Sequence, residues 1–245
     1  MKTISKISLA CALLVAASGA FAQKAGDNII SMGLASVNPS TSLGKLTSTS
    51  STDSNATGAY FTGALNNATA SVGSATTVSF GWLHMYTDNI GAEATFGLPP
   101  EVTLDLTTTT APHPGAAKNK IWSPTFVAKY FFGTAEDKWR PYVGLGASYV
   151  SFHGIAINSA DNTVRYLANT SAAFSSSWAP VYNAGMIYNI DEKWSISGSV
   201  SYLPIKATAT LVGPGAPAGY TAAVTTTGDV KLNTTDYVVR VGYRF

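Results

Sequence analysis

Residues 193–202 read KWSISGSVSY and alternate between two chemically different kinds of side chain. One set of alternate positions is largely apolar or aromatic, from Trp194 through Val200 to Tyr202. The other set is Lys193 followed by four serines. Successive side chains of a β-strand point to opposite faces, so this repeat of two residues predicts a strand with one apolar and one polar face.

The same alternation recurs along the chain. Residues 90–98 (IGAEATFGL) and 237–245 (YVVRVGYRF) repeat it cleanly. Five further segments follow it with more exceptions, at 29–37, 76–86, 121–132, 140–152 and 180–190. Together with 193–202 they make eight predicted strands, and transmembrane β-barrels of bacteria have an even number of strands.

The connections between these segments alternate in length. Those at 87–89, 133–139 and 191–192 are short. The others, at 38–75, 100–120, 153–179 and about 211–228, are long and rich in Ser, Thr, Ala, Gly and Pro. The sequence therefore predicts an all-β, eight-stranded antiparallel transmembrane β-barrel with short periplasmic turns, long extracellular loops and both termini in the periplasm.

Two features predict local irregularity in the strands. Pro124 and Pro204 have no N–H to donate, and a proline within a sheet normally marks an edge or a bulge. The alternation also changes phase between Leu232 and Tyr237. That change predicts a β-bulge near 233–235, where one extra residue would shift the pairing.

The composition of the 245-residue chain excludes other classes of protein. Only 11% of its residues are charged, against the ~25% usual in soluble domains, and 46% are hydrophobic. Beyond the N-terminal region, no stretch of ~20 apolar residues could form a membrane-spanning helix. Plentiful aromatic and β-branched residues argue against disorder.

Residues 1–22 have the parts of a secretory signal peptide. Two lysines precede a short apolar run at 7–17, and AFA at 20–22 fits the small-x-small cleavage rule. We therefore expect cleavage before Gln23, which would leave residues 23–245 as one transmembrane β-barrel domain.

Loss of this leader would change the charge and the cysteine content. The chain has 15 Lys and Arg residues, and without Lys2 and Lys6 it would have 13 against 13 Asp and Glu. Without an excess of positive charge, nucleic-acid binding has no support. The only cysteine, Cys11, lies in the leader, so the processed chain would have neither a disulfide nor thiolate chemistry.

The chemistry of the two faces indicates which one meets lipid. The less apolar set is Ser, Gly, Asn and Thr with few charges, which is a poor exterior for a soluble lipocalin-like barrel but suits a cramped interior. On the other face, Trp194 and Tyr202 are eight residues apart, roughly 26 Å along a strand. At a tilt of ~40° this is about 20 Å of height, close to the ~25 Å apolar band of outer-membrane barrels. Trp122 and Tyr130 repeat the spacing, which favours aromatic girdles over the core of a β-sandwich.

Three charged residues are predicted inside the barrel. Glu93 and Lys129 lie at inward positions of adjacent predicted strands, each four residues from a periplasmic turn, and Arg240 is a candidate third member. Two interpretations stay open. The cluster is either a charged constriction that filters solutes or an ion-pair network that fills a narrow interior and satisfies its charges.

Several short motifs, mostly at the periplasmic ends of strands, carry a resemblance to a known family. They are Gly33, Val37 and Pro39 in the first strand, TDNIGAE at 87–93, Pro124 with Tyr130 and Phe132, RPYVGLG at 140–146, and GYRF at 242–245. With these motifs the chain resembles the outer membrane protein W (OmpW) family. The resemblance implies an eight-stranded barrel of the Gram-negative outer membrane, with an apolar lumen thought to pass small hydrophobic molecules.

The end of the chain also resembles an assembly signal. Tyr243 and the terminal Phe245 close an apolar, alternating strand. This ending is similar to the signal that the outer-membrane insertion machinery reads in the last strand of bacterial barrels. We therefore expect that machinery and outer-membrane lipid as partners.

The family resemblance further suggests an apolar path through the lumen. Leu83, Ile121 and Val181 are inward positions that we expect towards the extracellular side, where they could line such a path. If the charged residues plug the periplasmic half, a solute must leave sideways between strands. Pro124 and Pro204 are the candidate exits, because each removes a hydrogen bond from the ladder.

Catalytic chemistry has no distinctive pattern in this sequence. The three histidines, His84, His113 and His153, are scattered, and His84 falls on the apolar face of its strand. Ser151, His153 and Asp161 could be chosen as a triad, but no spacing enforces the geometry that a triad needs. No metal-ligand cluster or nucleotide-binding motif occurs in the sequence, so we expect neither an enzyme nor a cofactor.

Two functions remain after these exclusions. The first is a passive outer-membrane channel whose partners are small hydrophobic solutes. The second is a structural or surface-interaction barrel, a receptor or adhesin that acts through its loops without transport. A dry cavity opening towards the loops would favour the first, and a lumen filled with ordered polar side chains would favour the second.

Overall fold

The computed structural model describes residues 23–215 and 222–245. The predicted leader, residues 1–22, lies outside the described residues. The strands are β1 (Asn28–Leu43), β2 (Thr47–Thr49), β3 (Thr69–Val72), β4 (Ala75–Met85), β5 (Ile90–Gly97), β6 (Glu101–Thr107), β7 (Pro112–Trp122), β8 (Thr125–Phe131), β9 (Trp139–Ile157), β10 (Ser171–Phe174), β11 (Ser177–Asn189), β12 (Trp194–Gly213) and β13 (Val224–Arg244). The helices are α1 (Ala56–Ala64) and α2 (Asn162–Ala168).

Eight of these strands close into a barrel. They pair antiparallel in the order β1, β4, β5, β8, β9, β11, β12, β13. The ring closes where β13 pairs with β1, from Arg244 opposite Ile29 to Val230 opposite Leu43. Closure gives each strand a partner on both sides, which main-chain N–H and C=O groups need in lipid because no water is there to bond them. The eight-stranded antiparallel barrel predicted from the sequence is confirmed.

The two faces of the wall differ in chemistry. Leu145 and Val239 on the outer face are 60% and 61% exposed, whereas Arg240, next to Val239 on β13, is only 6% exposed. This arrangement is the inverse of a soluble protein, which buries its leucines and exposes its arginines. Apolar side chains outside and polar ones inside are the arrangement of a barrel surrounded by lipid.

Aromatic side chains gather at two heights on the outer face. Next to a periplasmic turn, the rings of Trp194 and Tyr243 have centroids 5.0 Å apart. Eight residues further along β12, Tyr202 lies 6.5 Å from Tyr182 of β11. Tyr and Trp prefer the two membrane–water interfaces, so these pairs mark the lower and upper limits of the membrane-spanning wall.

The strand predicted at 121–132 is in fact two strands. β7 ends at Trp122 and β8 begins at Thr125, with Pro124 between them. Pro124 cannot donate a hydrogen bond, but its carbonyl accepts one from the N–H of Tyr149 at 3.1 Å. The interruption lets β8 stay in the ring while β7 pairs with β6 above it.

The β-bulge predicted near 233–235 is wrong. β12 and β13 stay in register through this stretch, with Thr234 opposite Leu203. Leu232 is buried on the inward face and shares the parity of Arg240. The alternation changes phase because the inward-facing side chains themselves become apolar towards the extracellular end of the barrel. The pairing of β12 with β13 does not shift. Register shifts occur instead in the extracellular part, between β6 and β7 and between β7 and β9.

Several ring strands continue far beyond the membrane. β13 has 21 residues and β12 has 20. At ~3.3 Å per residue, β13 spans about 70 Å, more than twice the strand length that a ~25 Å apolar band needs at a ~40° tilt. Much of the sequence predicted as long loops is therefore strand that carries the barrel outwards.

The extracellular end carries a packed cap, which we define as α1, α2, β2, β3, β6, β7 and β10. Its apolar core includes Leu46, Phe61, Leu65, Leu106, Val164 and Leu167. Asp161 caps α2 by accepting a hydrogen bond from the N–H of Val164 at 3.1 Å. Neither helix of the described residues is long and apolar enough to cross a membrane.

Candidate functional site

The periplasmic end of the lumen is closed by a packed layer that we call the floor. It consists of Ile29, Leu83, Met85, Phe131, Tyr142 and Ile187. Met85 and Phe131 are fully buried. The guanidinium of Arg140 lies 5.4 Å from the ring centroid of Phe131 and donates hydrogen bonds to the carbonyls of Gln23 and Asp88. A solute moving along the barrel axis would meet this layer before it reached the periplasm.

Next to the floor lies a buried ion cluster of Glu93, Lys129 and Arg240. One carboxylate oxygen of Glu93 accepts from Lys129 Nζ at 2.8 Å, and the other accepts from Arg240 Nη1 at 3.0 Å. Arg240 also donates to Ser79 Oγ, from Nε at 3.1 Å and from Nη2 at 2.8 Å. Lys129 Nζ lies 4.3 Å from the ring centroid of Tyr142, which belongs to the floor. The structure thus brings together the three charged residues chosen from the sequence.

Small inward residues make room for the long side chain of Arg240. Ser31 of β1 is directly opposite Gly81 of β4. A Cβ atom at Gly81 would lie 3.0 Å from Arg240 Nη1 and 2.7 Å from Ser31 Oγ. Arg240 on β13 must pass both of these strands to reach Glu93 on β5, so the small Gly and Ser residues of the inward face are what permit the cluster.

A cavity of about 100 Å³, the lower cavity, lies beside the ion cluster. Val127, Val181 and Ile121 supply apolar lining, and Ser199, Ser201, Asn183 and Asp236 supply polar lining. Asn183 donates to Ser201 Oγ at 2.9 Å. Within the described residues, neither Oδ1 of Asn183 nor Oδ1 of Asp236 has a hydrogen-bond partner.

Two further cavities continue the column towards the cap. The middle cavity, about 20 Å³, shares Ile121 with the lower one. The upper cavity, about 70 Å³, shares Leu104, Phe174 and Val230 with the middle one. The lining of the upper cavity is entirely apolar. The three cavities therefore form an interrupted series from the cap to the ion cluster. The upper one is apolar, the middle one has Asn119 as its one polar lining residue, and the lower one is the most polar.

The structure separates the three apolar path residues chosen from the sequence. Ile121 and Val181 both line the lower cavity. Leu83 does not lie with them, because β4 runs down to the periplasmic turn and Leu83, two residues before its end, packs into the floor. Sequence reasoning did not single out Asp236, although its parity is that of Arg240 and strict alternation places it inward.

The two proline positions differ in their surroundings. Pairing of β5 with β8 ends at Thr95 opposite Thr125, which follows Pro124 in the chain. The next main-chain contact between the two segments is the hydrogen bond from the N–H of Ile121 to the carbonyl of Pro100, at 3.2 Å. The stretch between these two contacts is unpaired. Pro204 lies within β12, in register with β13 on one side. On its other side, the pairing of β12 with β11 ends at Tyr202 opposite Tyr182, two residues before Pro204.

The lower cavity reaches the barrel wall on the Pro124 side. Its lining includes Phe96 and Leu98, whose side chains are 53% and 59% exposed on the outer face. On the Pro204 side its lining residues are inward ones, such as Ser201 and Leu203. The gap between β5 and β8 is therefore where the lumen comes nearest to lipid.

The Ser, His and Asp side chains of the extracellular part do not form a triad. Ser151 Oγ lies 2.9 Å from Nε2 of His153, but Asp161 bonds Nδ1 of His113 at 2.7 Å instead. Burial tends to raise the pKa of Asp161, yet the hydrogen bonds from His113 and from the N–H of Val164 hold that pKa below its usual value. The carboxylate fixes α2 to β7, so Asp161 is not the acid that would orient the Ser151–His153 pair.

Among residues 23–215 and 222–245, no three His, Cys, Asp or Glu side chains are grouped so that they could hold a metal ion. Tyr243 packs against Trp194, as described above, and Phe245 is 66% exposed with its N–H bonded to the carbonyl of Asn28 at 3.0 Å. Their part in assembly stays a prediction.

Replacement of Glu93 tests the ion cluster. Glu93→Gln leaves Lys129 and Arg240 buried without their shared carboxylate, so we expect the free energy of unfolding to fall by about 3–5 kcal/mol. Urea unfolding in lipid vesicles, followed by tryptophan fluorescence, measures it. The matched control is Glu101→Gln, which removes a 3.4 Å pair with Lys118 whose side chains are more than half exposed. The control should cost less than about 1 kcal/mol, and equal losses would contradict a buried, cooperative cluster.

Comparison with known proteins places this barrel in a family. Residues 24–245 match the model of the OmpW family. The chain is 30% identical over 237 residues to outer membrane protein W of Vibrio cholerae, with 96% of each chain covered. It is 28% identical over 249 residues to outer membrane protein W of Escherichia coli K12, with 100% of each covered. The crystal structure of the outer membrane protein OprG from Pseudomonas aeruginosa superposes with a TM-score of 0.75 at 25% identity, covering 91% of this chain and 98% of that one. The chain therefore belongs to the OmpW family and is a non-enzymatic β-barrel of the bacterial outer membrane.

Proposed function

We propose that the protein is a passive channel that admits small hydrophobic molecules from outside and releases them sideways into the outer membrane. The apolar upper cavity and the mainly apolar middle cavity are the entrance path, and the lower cavity is where the solute changes direction. Apolar lining suits such solutes, because the free energy of a molecule that leaves water for this path falls by about 25 cal/mol for each Å² of apolar surface that it buries.

The observation that carries this proposal is the contrast between the two ways out of the lower cavity. Along the axis, the ion cluster and the fully buried side chains of the floor block the periplasmic end. Sideways, the cavity reaches Phe96 and Leu98 on the outer face, where β5 and β8 are not paired. A solute that enters from the cap therefore has lipid as its nearest destination.

The direction of transport follows from solvation alone. A small apolar molecule has a lower free energy in the hydrocarbon of the bilayer than in water, so release into lipid needs no energy source. The narrow middle cavity has to widen for passage. The rings of Phe152 and Phe174 line it with centroids 5.5 Å apart, and rotation of these side chains is the motion we propose to open it.

The interaction partners of the proposed channel follow from its position. Outer-membrane lipid surrounds the apolar outer face and receives the solute. We infer that the insertion machinery reads the last strand through Tyr243 and Phe245. The alternative role, a barrel that only presents its cap to surface partners, needs no open path, so transport measurements separate the two.

Filling the upper cavity tests the channel. Ala209 is buried and lines that cavity, so Ala209→Phe places a ring in the path. We expect uptake of an apolar naphthalene-type tracer to fall to nearly the rate of protein-free vesicles. The vesicles carry lipopolysaccharide in their outer leaflet to slow direct entry. The matched control, Ala184→Phe, adds the same ring on the exposed outer face and should transport like the wild type. Unchanged uptake in a folded Ala209→Phe barrel would favour the surface-interaction role.

Proline replacement tests the sideways exit. Pro124→Val removes the ring that interrupts the chain between β7 and β8, so that the two can continue as one strand beside β5. We therefore expect the gap to narrow and uptake of the same tracer to slow. Pro204→Val makes the same change where the cavity lining is inward, and should leave uptake unaltered. Heat-dependent gel migration shows that each variant is folded. If Pro124→Val preserves both the barrel and the uptake rate, the lateral exit at Pro124 is wrong.

A further inference from the structure

The lower cavity contains two hydrogen-bond acceptors that the described residues leave unused. Asn183 is nine-tenths buried and lines the cavity, and its Oδ1 has no hydrogen-bond partner among the described residues. Oδ1 of Asp236 is also buried and unpartnered. An unsatisfied buried acceptor, and above all a carboxylate, costs free energy unless something donates to it.

The pairing of the strands places these acceptors in one row. Asn183 of β11 is opposite Ser201 of β12, and Ser201 is opposite Asp236 of β13. All three line the same cavity, so their side chains converge on one space. Val37 of β1, opposite Asp236 on its other side, extends the row with an apolar side chain that offers no donor.

Arg240 also lines the lower cavity, but both it and Lys129 are already bonded to Glu93. Arg240 is four residues along β13, roughly 13 Å away between Cα atoms, and it bonds Glu93 and Ser79. Lys129 also bonds Glu93. The ion cluster therefore neutralises Glu93 and leaves the carboxyl group of Asp236 without a cationic partner among the described residues.

The space above the row is apolar. Ile121 lines both the lower and the middle cavity, Leu203 lines the lower one, and both belong to one buried apolar cluster. A molecule held by its head at Asp236 would therefore extend its other end into apolar surroundings. Polar acceptors at one end and apolar lining at the other match an amphiphile and not a wholly apolar solute.

We propose that the lower cavity binds the head group of a protonated primary alkylamine, with Asp236 as its counter-ion and Asn183 Oδ1 as a second acceptor. This inference rests on the proposed function, because the amine must enter by the same path, and it deepens it by naming a solute class. A primary ammonium carries one positive charge and three N–H donors, which suits one carboxylate and one amide oxygen. A hydroxyl lacks the charge and a quaternary ammonium lacks the donors.

Equilibrium binding to the purified, folded barrel in nanodiscs at pH 7 tests the site. The probes are hexylamine, 1-hexanol and hexyltrimethylammonium, which share one alkyl chain. A charge-assisted hydrogen bond is roughly twice as strong as a neutral one, so hexylamine should bind about tenfold or more tightly than hexanol, with hexyltrimethylammonium between them. Asp236→Asn keeps the shape and should abolish this preference. The matched control Asp229→Asn, on an exposed carboxylate of the same strand, should keep it.

Each outcome of this experiment decides a separate point. Equal binding of hexylamine and hexanol to the wild type overturns the proposal without any variant, and so does a preference that survives Asp236→Asn. The result is distinct from a failure of the channel. If hexylamine binds as described but the apolar tracer is not taken up, the amine-binding site is supported and the proposed channel function is contradicted.

Discussion

Hydrocarbon offers no hydrogen bonds, and this constraint determines the rest of the structure. Every main-chain N–H and C=O within the membrane needs a partner from the protein, so the sheet must close on itself, as it does where β13 meets β1. Closure with eight strands leaves an interior only wide enough for side chains. The inward face must then be small and the outward face apolar, which is the alternation seen at 193–202.

A narrow interior also explains why the lumen is divided. At its periplasmic end it holds charges, and these are stable only because Glu93 is shared by Lys129 and Arg240 and because Gly81 leaves space for the guanidinium. Towards the cap, beyond the apolar band of the membrane, the inward face becomes apolar and the strands continue as a packed extension. The same wall thus supplies a closed lower end and an apolar upper end, with Asp236 where they meet.

Alternation was enough to predict most of the barrel, because strand parity depends only on local sequence. It identified the eight strands and the inward positions of Glu93, Lys129 and Arg240. It failed where packing decides the outcome. Beyond the membrane, apolar residues such as Leu232 face inward, and the resulting change in the alternation was wrongly interpreted as a bulge. Leu83 belongs to the floor and not to the apolar path, because it lies near the periplasmic end of β4. The cap could not be predicted, since its helices and short strands are held by contacts between distant segments.

The orientation of the two faces is the central claim, and adjacent positions on β13 test it most directly. Val238 is 9% exposed and Val239 is 61% exposed, so Val238→Cys and Val239→Cys compare the same chemistry on opposite faces. Cys11 is the chain's only cysteine, so in a Cys11→Ser background each variant carries a single spin label. Electron paramagnetic resonance in lipid vesicles should show the label at 239 relaxed strongly by dissolved oxygen and the label at 238 shielded from it. Equal relaxation at both positions, or the reverse order, would contradict the account.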